Sequence, residues 1–161
     1  MLVALVIGHN ENDTGAYNKS MDKTEYALNK AEAVNVYGML EAQGVRCVLI
    51  HRDTYKNLPN DINKHNPNLI VSFHHNSYNE TATGTETLYF HRSKQGKKLA
   101  EILHKKTVDT LGYKDRGLKP KDSEDRGGYL LEYTNAPCVI LEPCFMSNTK
   151  ELHDFIGKQD L

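Results

Sequence analysis

Cysteine is scarce: the 161 residues hold three, Cys47, Cys138 and Cys144. The count is odd and no two form a CxxC pair, so a disulfide framework is not expected and a reducing compartment suits the chain. An excess of one charge is also lacking. Lys plus Arg total 20 and Asp plus Glu total 21, which argues against a strongly basic surface for nucleic acid or membrane. The apolar start, Met1 to Ile7, is too short to span a bilayer. It has no basic lead-in and no small-residue cleavage site, so it reads as a strand rather than a signal peptide. Two common hydrolase signatures are missing. Without HExxH there is no helical zinc-protease motif, and without GxSxG there is no nucleophilic serine elbow. Cys144 as a thiol nucleophile lacks a partner positioned by the sequence.

What is present points to one α/β domain. The length suits a single core, and 39% apolar with 25% charged residues is the balance of a globular protein. Leu2 to Ile7 is a continuous apolar run ending at Gly8, as in a strand buried on both faces. A polar stretch, Asn10 to Lys23, reads as a loop. Thr24 can cap a helix from Glu25 to Gln43, whose apolar positions Ala27, Leu28, Ala31, Val34, Tyr37, Met39 and Leu40 recur at helical spacing. Further strands are expected at Val45–Ile50, Leu69–Phe73, Gly84–Phe90, Tyr129–Leu131 and Cys138–Glu142. Further helices are expected at Leu58–His65, Gln95–Leu111 and Thr149–Ile156, and Asp115 to Gly128 reads as a surface loop. The lysines at 94, 97, 98, 105 and 106 fit the solvated face of a helix. Cys47 and Cys138 lie in apolar runs and read as buried thiols. The alternation predicts a twisted, mostly parallel sheet of about six strands with helices on both faces.

Ligands of such sheets bind beyond the carboxyl ends of the strands. His9 follows the first strand, the His74–His75 pair follows the third, and Glu142 ends the last. Glu25 opens the first long helix. Two imidazoles and one carboxylate form the ligand set of a catalytic zinc, which keeps one position for water. A further carboxylate is then needed to carry a proton from water to a leaving amine. Each residue alone has an ordinary structural reading. Glu142 stands out, because a carboxylate closing the apolar run Val139-Ile140-Leu141 is costly unless paired or near a metal.

Taken in order, these residues form a series. Gly8-His9, the Glu25 of Thr24-Glu25-Tyr26-Ala27-Leu28-Asn29, His51-Arg52-Asp53, Ser72-Phe73-His74-His75-Asn76, Gly84-Thr85-Glu86-Thr87-Leu88-Tyr89, and Pro137 to Glu142 followed by Phe145, Ser147 and Asn148 resemble the zinc N-acetylmuramoyl-L-alanine amidases of the Amidase_3 type. The resemblance spans nearly the whole chain. It departs at the start, where Ile7-Gly8-His9-Asn10-Glu11 replaces the family's D-P-G-H-G-G, and in a short segment between Arg52 and His74.

The resemblance implies a zinc ion on His9, Glu25 and His74, with His75 as the variable neighbour and Glu142 as the catalytic carboxylate. Asn76 and Arg52 are the candidates for substrate contact. The implied activity cleaves the amide between N-acetylmuramic acid and L-alanine in peptidoglycan. A zinc peptidase acting on the stem peptide, or a peptidoglycan-binding module without catalysis, are the alternatives. Residues 1–161 are expected to form the catalytic domain with no separate wall-binding domain. The expected setting is a phage endolysin made in the cytoplasm without a signal peptide and reaching the wall with a holin, or else a bacterial autolysin domain. No nucleic-acid partner and no membrane insertion are expected.

Overall fold

A computed structural model describes residues 1–159, and the statements below concern those residues. Eight strands and five helices alternate along the chain. They are β1 (Leu2–Ile7), β2 (Tyr17–Asn18), β3 (Lys23–Thr24), α1 (Glu25–Ala42), β4 (Arg46–His51), α2 (Leu58–Asn63), β5 (Leu69–Phe73), β6 (Thr85–Phe90), α3 (Lys94–Leu111), β7 (Asp115–Lys121), α4 (Gly128–Tyr133), β8 (Cys138–Glu142) and α5 (Thr149–Gln159). Six strands make one sheet in the order β4-β1-β5-β8-β6-β7. Every neighbouring pair is parallel except β6 and β8. The mostly parallel α/β architecture therefore matches the expectation.

The sheet divides the core in two. On one face Ala4, Val6, Ile70 and Ile140 pack with Leu58 and Ile62 of α2 and Leu130 and Leu131 of α4. On the other, Val3, Leu5, Ile7, Val71 and Val139 pack with Ala33 of α1 and Ala100 of α3. Apolar side chains alternate to both faces of β1, which is why its sequence is an unbroken apolar run. No helix among the described residues is long and apolar enough to cross a membrane.

Five local expectations need correction. Tyr129–Leu131 is not a strand but part of the short helix α4. Gly127 enters it at φ 84°, and the adjacent Leu130 and Leu131 are both buried, which an exposed-and-buried alternation would not allow. The segment from Asp115 is a strand as far as Lys121, pairing with β6 at the sheet's edge. Charge and Pro120 are tolerated because an edge strand leaves one row of backbone groups unpaired. The stretch Asn10–Lys23 holds the small β2–β3 hairpin. Cys47 is only half-buried, as befits edge strand β4, whereas Cys138 and Cys144 are buried, and all three thiols are free. On α1 the inward residues include Leu28, Asn29 and Ala33, while Val34 and Met39 of the expected stripe are exposed. The lysine face of α3 is exposed, as expected.

His104 of α3 ties the parallel edge pair β6 and β7 together. Its Nδ1 lies 3.1 Å from Thr87 Oγ1 on β6 and its Nε2 2.8 Å from Asp115 Oδ1 on β7. Thr87 is fully buried, so loss of the imidazole strands its hydroxyl. His104→Ala should destabilise the protein by about 1–3 kcal/mol in urea unfolding; a change under ~0.5 kcal/mol, the size of an ordinary surface substitution, would show that the bridge is idle.

Candidate metal centre and its cavity

The parallel strands end together on one edge of the sheet, and the chain turns there into the polar residues anticipated above. β1 ends at Ile7 and β5 at Phe73, paired in register, while Phe73 also pairs with Leu141 of β8. His9, His74 and Glu142 thus leave neighbouring strands at one level. Thr24 caps α1, accepting a hydrogen bond from Ala27 N at 3.2 Å. That cap sets Glu25 in the first turn, where the helix dipole favours a carboxylate.

Glu25 is 1% exposed and sits between the two imidazoles. Its Oε2 is 3.1 Å from His9 Nε2 and its Oε1 is 2.9 Å from His74 Nδ1. The backbone amides of Ala16 and His75 each donate to it at 3.2 Å. The three side chains offer ligand atoms that all lie within 4.8 Å of one another. Burial alone would raise the Glu25 carboxyl, but the hydrogen bonds and charges of His74 and His9 outweigh it and hold the group well below the usual range. Burial lowers His74 against the pull of Glu25.

Two glycines make this convergence sterically feasible. A Cβ on Gly8 would lie 2.4 Å from the Phe73 carbonyl oxygen and 2.5 Å from His74 Nε2. A Cβ on Gly15, at φ 70°, would lie 2.6 Å from Glu25 Oε2 and 2.7 Å from the His9 ring. His9 itself stands at φ 66°, a left-handed conformation that costs about 1–3 kcal/mol in a non-glycine residue and is concentrated at functional sites.

The donor set suits a divalent transition metal. Both ring nitrogens of His9 are buried, and although Nε2 lies close to Glu25, neither makes a well-aligned hydrogen bond, an expensive state unless an ion takes one of them. His9 Nε2 faces Glu25, and Nδ1 faces Asp13 Oδ1 at 3.6 Å. Asp13 is itself ion-paired with Arg52, so a carboxylate backs one imidazole, as in many histidine metal sites. Two nitrogens and one carboxylate leave a coordination position open.

A cavity of about 530 Å³ opens over the centre, lined by His9, His74 and Glu142 together with Asp13, Arg52, Tyr55, Arg126 and Tyr129. Glu142 is 5% exposed and is raised to about 8, chiefly by burial and by a hydrogen bond shared with Glu86. Glu86 lies directly across the β6–β8 pairing, and Arg116 Nε donates to it at 2.8 Å. The unpaired carboxylate suspected from the sequence is thus a buried acid with a carboxyl neighbour, poised near neutrality.

His9, His74, Glu142 and Arg52 therefore line one cavity, and Glu25 lies buried between the two imidazoles. Asn76 is not among the residues lining it. Its Oδ1 accepts from the Ser77 amide at 2.9 Å and its backbone pairs with Cys144 and Met146, so it joins the end of β5 to the segment after β8. His75 turns away from the centre and is fully buried. Burial pushes the Cys144 thiol well up, the opposite of an activated nucleophile. Asp13, Glu86 and Arg126 were not foreseen. Asp13 carried one signal, its place four residues beyond His9; Glu86 and Arg126 depend on strand pairing and loop placement.

An α/β sheet whose strand ends gather two imidazoles and a carboxylate beside a second buried carboxyl is an arrangement suited to hydrolysis. The chain belongs to the N-acetylmuramoyl-L-alanine amidase family Amidase_3, whose profile matches residues 3–158. It is 30% identical over 151 residues to N-acetylmuramoyl-L-alanine amidase LytC of Bacillus subtilis strain 168, covering 89% of this chain and 29% of that protein. It thus spans less than a third of LytC. It is 29% identical over 160 residues to the uncharacterised YqiI of the same strain, covering 95% of this chain and 73% of that protein. Among solved structures it superposes on an N-acetylmuramoyl-L-alanine amidase from Clostridium difficile 630 with TM-score 0.89 and 27% identity, covering 99% of this chain and 88% of that one. The catalytic domain of the amidase CwlV from Bacillus (Paenibacillus) polymyxa var. colistinus gives TM-score 0.82 and 29% identity, covering 94% and 84%.

The raised Glu142 carboxyl makes a pH prediction for the metal-free protein. Its folded pKa lies above its unfolded value, so its contribution is fully present below about 4.5 and is lost as pH rises through about 8. Glu142→Gln removes that dependence. Its stability relative to the parent should rise across this window in parallel urea titrations, and a difference that stays flat with pH would show that Glu142 ionises normally.

Proposed function

We propose that this chain hydrolyses the amide bond between N-acetylmuramic acid and L-alanine of peptidoglycan, using zinc held by His9, Glu25 and His74. The observation that carries the reading is the convergence of these three donors, with both imidazoles lining the same cavity as Glu142. Family membership supplies the bond to be cut.

Bound there, zinc would supply Lewis acidity, lowering the pKa of a water molecule and polarising the scissile carbonyl. Glu142 accepts a proton from the water that attacks the lactyl carbonyl carbon, and the new C–O bond forms as that proton moves. It then returns the proton to the alanine nitrogen as the C–N bond breaks, leaving a free carboxylic acid on the muramoyl side, which gives up its proton to solvent, and a free amine on the peptide. Burial and Glu86 raise the Glu142 carboxyl in the metal-free protein, and the positive charge of a bound cation would draw it back toward the carboxylate that accepts the proton. Arg52, backed by Asp13 and packed 6.0 Å from the Tyr55 ring, presents positive charge to the cavity wall and is the proposed substrate contact. The chain's place of action is the cell wall, and phage-type release through a holin is the proposed route.

Glu142→Gln should retain one zinc and lose turnover by about 10²–10⁴-fold; substantial remaining activity would remove Glu142 from the mechanism. Mass spectrometry of digested wall should find peptides beginning at L-alanine and intact glycan ends. New peptide termini elsewhere would instead indicate a peptidase, and no soluble product at all a binding module. His74→Ala should abolish tight zinc binding in a chelator competition; retention of parental affinity would reassign the ligand.

A further inference from the structure

Below the centre lies a buried polar seam that the chemistry above does not use. Three polar residues of α1, Glu25, Asn29 and Glu32, follow one another at four and three residues, so they share a helix face. Asn29 is fully buried. Its Nδ2 donates to the Gly8 carbonyl at 3.0 Å, and its Oδ1 lies 2.8 Å from His75 Nδ1. Gly8 precedes His9 and His75 follows His74. One amide therefore joins the two strand ends that carry the imidazoles, from the same helix that carries Glu25.

The polarity of the seam follows from chemistry alone. A carbonyl oxygen only accepts, so the amide nitrogen of Asn29 must face Gly8 and its oxygen must face His75. His75 Nδ1 must then carry a proton. Its Nε2 is left toward Glu32 Oε2 at 3.8 Å, both atoms buried and without another partner, while the ring packs edge-on against Phe155 at 5.1 Å. The His75 backbone amide also donates to Glu25 Oε1. The seam thus reaches the ligands on three sides without offering an atom to the cavity.

Building on the proposed zinc site, we infer that Asn29 and His75 are positioning residues that hold the His9 and His74 strand ends at the spacing the metal requires. A plain core residue would serve packing equally well; two specific hydrogen bonds of opposite sense between two ligand-bearing turns do not arise from packing. Outer partners of this kind change metal affinity by about 10–100-fold when removed.

The test measures zinc affinity by competition with a chromophoric chelator, the visible spectrum of the cobalt(II)-substituted protein, and the thermal midpoint of the metal-free form. The parent and His74→Ala are titrated first. A parent that binds no better than His74→Ala refutes the metal site itself. Given a tight parent, Asn29→Asp, which keeps the shape but loses the donor, and Asn29→Ala should each weaken zinc about 10–100-fold and alter the cobalt spectrum. Ile62→Ala, in the buried core on the opposite face of the sheet, should lower the thermal midpoint yet keep zinc affinity within about threefold, well short of the loss of an outer partner. If both Asn29 variants bind within that threefold margin and share the parental spectrum, whatever their midpoints, the positioning role is overturned. Should neither fold, His75→Gln, at the other end of the same bridge, is held to the same two criteria.

Discussion

The structure depends on keeping one carboxylate out of water. Glu25 is buried at the start of α1, and a carboxylate in that position costs several kcal/mol unless it is fully paired. It is paired four times over, by His9, by His74 and by the amides of Ala16 and His75. The partners come from three separate places in the chain. The loop before α1, the turn after β1 and the turn after β5 must all be in position before the charge is satisfied. Gly15 and Gly8 exist at their positions because any side chain would collide with this group or its partners. The left-handed His9 is held in the same way.

Sheet topology makes the convergence possible. Parallel order puts the carboxyl ends of β1, β5 and β8 side by side, so residues far apart in sequence meet without long loops. The one antiparallel pair, β6 with β8, has a separate consequence. It sets Glu86 opposite Glu142, and the pairing of two carboxyls in a buried place keeps one of them near neutrality. The catalytic proposal and the fold thus rest on different carboxylates treated in opposite ways: Glu25 is held ionised by donors, and Glu142 is held protonatable by burial and a like neighbour.

Much of this was legible in the sequence. The apolar runs of β1, β5 and β8 and the capped start of α1 are local patterns, and their ends mark where His9, His74 and Glu142 fall. The failures share a cause. Tyr129–Leu131 was read as a strand because three residues carry too little periodicity to separate strand from helix. The segment 115–121 was read as a loop because an edge strand tolerates charge and proline. The stripe expected on α1 missed Asn29 since buried polar residues look like surface residues until their partners are known.

Local chemistry by itself determined the alternating α/β pattern, the strand ends and the residue types able to bind a metal, because periodicity and capping act within a few residues along the chain. Resemblance in order and spacing added the choice of His74 over His75. Only the tertiary structure decided which way each imidazole turns, that Asn76 links β5 to the segment after β8, that Glu86 meets Glu142 and that Asn29 spans two strand ends. The pairings of Asn29, Asn76 and Glu86 reach across 21 to 70 residues of chain, and contacts at that separation exist only once the sheet has brought the segments together.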